Sequence, residues 1–301
     1  MATLTFAPDS QTWLAAAGEA SAVYIVAPKS ALQDGTAYAL LSNSSLPLAG
    51  AFADGAIAGA LAASASGSIN GSMTSSTVVG PGALKKLGFV ALPDACSRYY
   101  SPTHSMAVTG GLNGIGAGEG SVAVLVVLAD PDYALPAVRG VARACPRYSR
   151  KTGATSACEV VVGISTIVTP TNMLPAAASW PLAAEAVRNT ARINDTPTAD
   201  MNTAEVEAEA RSALAGIPNV TIESIVGEDL LEKGLGAIHA VGRTSLSPPR
   251  LVVLTLTPSD RNAAAKPPIA LVGKGIVYDT GAPTLVCAVH RSARWRCLCR
   301  C

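Results

Sequence analysis

The run Val122-Ala123-Val124-Leu125-Val126-Val127-Leu128 restricts the possible folds of this chain more than any other segment. It has no polar position, so it has no solvent face. A strand of this kind belongs in a sheet covered on both sides, the usual setting of parallel strands. Asp130-Pro131-Asp132 follows at once and opens a helix, with Tyr133, Ala134, Val138, Val141 and Ala142 at roughly helical spacing. Cys158 to Ile167 is a second strand-like run. Strand, helix and strand with short connections predict the α/β class.

A length of 301 residues allows two domains, or one large one, with sizeable cores. Apolar residues make up 49% and charged residues 14%, a globular profile and not a disordered one. The net charge of +1 offers no general attraction to nucleic acid or to an anionic membrane. The longest apolar runs, such as Val122 to Ala129, are too short to span a bilayer. The N-terminal stretch from Met1 to Asp9 has no basic start and no long apolar core, so no secretory signal is read there. Three scattered cysteines (Cys96, Cys145 and Cys158) fit reduced thiols of an intracellular protein. A cytoplasmic location is expected.

Along the chain, Ala22 to Val26 and Ala37 to Leu41 read as strands, separated by Pro, Gly, Asp and Ser. Ala49 to Ser76 is rich in Ala, Gly and Ser, and its second half, from Gly67, reads as a flexible loop. Leu87 to Leu92 is a short strand. Residues 1–168 are expected to form an N-terminal α/β domain, and the Pro-containing stretch 169–180 a linker. A helix then runs from Ser179 to about Ile193, with Leu182, Ala186 and Ile193 inward and Glu185, Arg188 and Arg192 outward. Asn202 caps the next helix, which Gly216 stops. Val220 to Val226, a short helix from Glu228 to Glu232, Leu251 to Thr257 and Ile269 to Val272 read as a βαβ-like series.

Most motif candidates fail on spacing or context. Gly114 to Gly120 precedes its strand, whereas a dinucleotide-binding turn follows one, and the G-x-G-x-x-G spacing is absent. Gly273-Lys274-Gly275 lacks the upstream glycine and the following Ser or Thr of a phosphate loop. His104, His239 and His290 stand apart, with no H-E-x-x-H pattern, and read as surface or satisfied side chains. Cys297-Leu298-Cys299-Arg300-Cys301 lacks the paired C-x₂₋₄-C spacing of a structural zinc site. The last twenty residues carry four arginines and no acidic residue, and residues 282–301 read as an aberrant Arg/Cys tail.

One stretch remains. In Ile269-Ala270-Leu271-Val272-Gly273-Lys274-Gly275-Ile276-Val277-Tyr278-Asp279-Thr280-Gly281, an apolar run delivers a lysine, and an aspartate follows five residues later. Charged groups beside a buried strand need partners. Lys274 and Asp279 could form an ion pair, or could both be ligands of a metal, and their spacing alone favours neither.

The order of motifs from Pro181 to Gly281 resembles the leucyl (cytosol) aminopeptidase family, and its wording is most similar to the aminopeptidase-like branch. Asn194-Asp195-Thr196-Pro197 with Met201-Asn202-Thr203 resembles the family's entry into the catalytic domain. Gly234-Leu235-Gly236, Val241-Gly242 and Pro248-Pro249-Arg250-Leu251 resemble its glycine-rich block, and Val272 to Gly281 its first metal segment. The resemblance implies an N-terminal α/β domain followed, over 181–281, by the first part of a mixed-sheet catalytic domain, usually in a homo-hexamer. It implies removal of N-terminal residues such as leucine from peptide substrates by two divalent metal ions, Mn²⁺ or Zn²⁺. Those ions polarise the carbonyl and activate a bridging water. Lys274, as a neutral amine, and Asp279 would be metal ligands.

The match breaks off after Asp279. Ala282 and Val286 stand where the family has a glycine and a catalytic lysine, and no Asp or Glu follows Asp279. One amine and one carboxylate cannot hold two hard cations. The chain is therefore read as C-terminally truncated, with no appreciable aminopeptidase activity expected. The alternative expectation is a non-catalytic assembly or binding module that pairs with full-length subunits.

Overall fold

The computed structural model describes residues 2–44, 59, 73–80, 83–95, 103, 105–115, 120–148, 157–260 and 267–277. They fall in two compact units, Met1–Arg192 and Ile193–Cys301. The first unit alternates strands and helices in chain order: β1 (Ala2–Phe6), α1 (Ser10–Glu19), β2 (Ala22–Pro28), α2 (Lys29–Gln33), α3 (Ala39–Ser42), β3 (Met73–Gly80), β4 (Ala83–Leu92), α4 (Ser105–Gly111), β5 (Ser121–Leu128), α5 (Ala134–Ala144), β6 (Cys158–Thr166) and most of α6 (Ser179–Asp195). The strands form one six-stranded sheet in the order β1-β6-β5-β2-β4-β3. Every neighbouring pair is parallel except β3–β4. The expected α/β class is what the chain adopts.

The period of two along β2 and β5 divides the core into two layers. Tyr24, Val26, Val124 and Val126 face a layer with Ala107, Val108, Val138 and Val141 from α4 and α5. Val23, Ile25, Ala123 and Leu125 face the other layer, with Trp13, Ala17, Leu32 and Leu41. All seven residues of β2 are buried, as are seven of the eight in β5. Trp13 brings a polar group into this core, and its indole N–H donates to the Val124 carbonyl at 3.0 Å. α4 and α5 approach closely because Gly140 has no side chain. A Cβ there would lie 2.7 Å from the Ser105 carbonyl oxygen and from Val108 Cβ.

Three local expectations are corrected. Ala37 to Leu41 is not a strand. Thr36–Tyr38 is a 3₁₀ turn and Ala39–Ser42 a helix, entered through Gly35 at φ 87°. Its apolar residues satisfy a helical face, with Ala37, Leu40 and Leu41 inside, and Ala and Leu are strong helix formers. Met73 to Ser76 is not loop, because it begins β3 and pairs with Ser76↔Leu87 through Met73↔Val90. The rest of the Ala/Gly/Ser tract, from Ala49 to Ser72, lies outside the described residues apart from Gly59.

The third correction is the rotation of α6. Leu182, expected inside, is 73% exposed, and Arg188, expected outside, is 5% exposed. The inward residues are Trp180, Ala184, Arg188 and Ala191, still at helical spacing but turned round the axis. The largest side chain sets the rotation: Trp180 packs edge-on against Phe6, with ring centroids 6.0 Å apart. Arg188 is tolerated inside because its donors meet carbonyls. Nε donates to Cys145 O at 2.9 Å, where α5 has ended and the helix dipole is negative, and Nη2 donates to Ala2 O.

The second unit holds α7 (Thr203–Leu214), β7 (Val220–Val226), α8 (Asp229–Glu232), α9 (Gly236–Gly242) and β8 (Arg250–Leu256). β7 and β8 pair antiparallel, Val220↔Leu256 through Val226↔Arg250, and not in the expected βαβ arrangement. Ile269 to Val272, expected as a strand, runs without helix or strand. A strand exists only where a neighbour takes its N–H and C=O groups, and no ladder to these residues occurs among the described residues. Met201, Leu230 and Pro249 are the buried apolar side chains among the described residues of this unit.

Replacing Arg188 with Met keeps the length of the side chain but leaves the Cys145 and Ala2 carbonyls without these donors. The substitution is expected to destabilise the first unit by about 2–3 kcal/mol in urea unfolding. A change near zero would show that the buried guanidinium does not tie α6 to the sheet.

Candidate functional site

The two residues singled out as metal ligands stand as follows. Lys274 is exposed, in the segment 267–277 that has no regular secondary structure. A Cβ added at either flanking glycine, Gly273 or Gly275, would meet nothing within 4 Å. Asp279 lies outside the described residues, as do His104, His290, Cys96 and the Arg/Cys tail. Among the described residues, no group of three or more His, Cys, Asp or Glu side chains is placed to hold a metal ion. The described residues alone therefore do not make up a two-metal centre.

The other chemically capable side chains are engaged in structure. Cys145 and Cys158 are buried free thiols. Burial pushes the Cys145 thiol up to about 12, which keeps it protonated and unreactive at neutral pH. His239 Nε2 lies 3.2 Å from Glu228 Oε1, so it is a satisfied histidine, as expected. An open depression of about 440 Å³ is lined by Pro8, Asp9, Ser10, Gln11, Asn172, Met173 and Pro175. Two of its polar side chains, those of Asp9 and Ser10, are already committed. Asp9 accepts from Thr12 N at 2.7 Å, and Ser10 Oγ donates to Thr171 O and accepts from Met173 N.

The motif segments of the second unit come together in space. Asn202 Oδ1 caps α7 by accepting from Ala204 N and Glu205 N, and it also accepts from Ser247 Oγ. Thr203 Oγ1 donates to Pro248 O at 2.8 Å. Gly242 abuts Pro249 so closely that a Cβ would lie 2.4 Å from the proline ring. Gly234 ends α8 at φ 73°, in the left-handed region that favours glycine. The Asn-Thr, Val-Gly and Pro-Pro-Arg-Leu segments thus hold one another and set the path of the chain into β8.

Glu207 is the electrostatic centre of this arrangement, and it was not singled out in the sequence. Its side chain is 11% exposed and pairs with Arg250 Nη1 at 2.6 Å and Arg211 Nη2 at 2.7 Å, while Ser224 Oγ donates to it. The hydrogen bond from Ser224, then those from Arg250 and Arg211, bring the Glu207 carboxyl down to about 2. The i,i+4 spacing of Glu207 and Arg211 was a readable signal; the contributions of Ser224 and Arg250 required the β7–β8 register. The group joins α7 to both strands.

Because the folded carboxyl titrates below its ordinary value of 4.5, its contribution is complete above that pH. It is lost as pH falls from about 4.5 toward about 2. Glu207→Gln is expected to lower stability at neutral pH by about 1 kcal/mol, discounted for its solvent contact, and to flatten the acid limb of the stability profile. An unchanged acid limb in pH-dependent unfolding would contradict the clamp.

With this geometry in view, similarity to known proteins can be placed on the chain. Residues 188–289 match the "Cytosol aminopeptidase family, catalytic domain". Leucine aminopeptidase 1 of Caenorhabditis elegans is 34% identical over 193 residues, covering 64% of this chain and 38% of that protein. Probable aminopeptidase NPEPL1 of Mus musculus is 32% identical over 206 residues, covering 64% and 36%. The chain thus spans well under half of the curated relatives it matches. In fold, it is similar to the M17 aminopeptidase of Trypanosoma brucei, with a TM-score of 0.61 at 22% identity, covering 85% of this chain and 49% of that one. The match covers the clamp of Glu207, the interlocked glycine and proline segments, and the lysine–aspartate stretch, and over these residues the chain is similar to the catalytic domain of the cytosol aminopeptidase family.

Proposed function

We propose that this chain carries the opening portion of a metallo-aminopeptidase active site and, as it stands, hydrolyses no peptide. One observation carries the reading. The family match extends through Gly273-Lys274-Gly275-Ile276-Val277-Tyr278-Asp279, yet Ala282 and Val286 follow where the resemblance calls for a glycine and a catalytic lysine. The activity of the lineage is removal of N-terminal residues such as leucine from peptides, with Lys274 and Asp279 among the ligands of two divalent ions, Mn²⁺ or Zn²⁺. Hard divalent cations require more oxygen ligands than these two residues offer. A cytoplasmic setting and a homo-hexameric assembly belong to the same reading. Nothing in it calls for nucleic acid or a membrane, and no helix among the described residues is long and apolar enough to cross one.

A second reading is favoured by the contrast between the units. The first has a two-layer core, while the second buries few side chains, which suits a non-catalytic module that assembles with full-length subunits. Mixing the chain with a full-length paralogue and measuring native mass separates this reading from the first.

The activity assay uses the purified chain with Mn²⁺ or Zn²⁺ and a leucyl amide. No turnover above the metal-free control is expected. Turnover that disappears in Asp279→Ala would overturn the proposal.

A further inference from the structure

We draw no further inference here: the strongest candidate, the open depression beside the N-terminus of α1 lined by Asp9, Ser10, Gln11, Asn172 and Met173, carries nothing because Asp9 already caps that helix end and nothing in the structure shows what ligand would occupy it.

Discussion

Burial of the parallel ladder of β2 and β5 on both faces is the constraint on which the rest of the first unit depends. Each strand contributes side chains alternately to the two layers, so neither layer forms without the other. The helices follow from that requirement. α4 and α5 cover one face and approach each other through Gly140, while α1, α2 and α3 close the other face around Trp13, Leu32 and Leu41. α6 adds Trp180 and a buried arginine whose hydrogen bonds end on backbone carbonyls. Burial of this kind, at ~25 cal/mol per Å² of apolar surface, is the dominant stabilising contribution to such a domain.

The second unit depends on polar organisation. Its fixed points are the Asn202 cap, the Thr203–Pro248 hydrogen bond, the Gly242–Pro249 contact and the Glu207 clamp. These hold the chain in a defined path but bury little apolar surface, and among the described residues Val253, Leu254 and Leu256 of β8 stay exposed. The segments similar to the aminopeptidase catalytic domain are among those that set the path of the chain into β8.

Much of the first unit was legible because apolar runs with no polar face have few possible settings. β2, β4, β5 and β6 followed from apolar runs, and the helix after Asp130 from its Asp-Pro-Asp start and helical spacing. Ala37 to Leu41 was not legible: five apolar residues fit a strand or a helix equally, and Gly35 with its helical continuation decides the matter. The inward face of α6 was misassigned because the hydrophobic scale favours Leu182 inside, whereas the size of Trp180 and two carbonyls needing donors bring Arg188 there instead. Lys274 and Asp279 stood out only through the resemblance of their segment to a metal-binding one, because their spacing alone fits an ion pair equally well. The placement of Lys274 was not legible, since burial of a strand depends on a neighbour and not on the strand's own residues. Glu207 escaped notice because its partners Ser224 and Arg250 meet it only once β7 and β8 are in register.

The central claim is that the chain joins a closed, hydrophobically stabilised sheet domain to an open unit held by polar contacts. Residue-resolved amide hydrogen exchange tests this most directly. The backbone amides of Ala123 to Val127 in β5 are expected to exchange only through global unfolding of the first unit. Those of Thr221 to Ile225 in β7 are expected to exchange through smaller, lower-energy openings, at least about a hundredfold faster. Equal protection in the two strands, or greater protection in β7, would contradict the account.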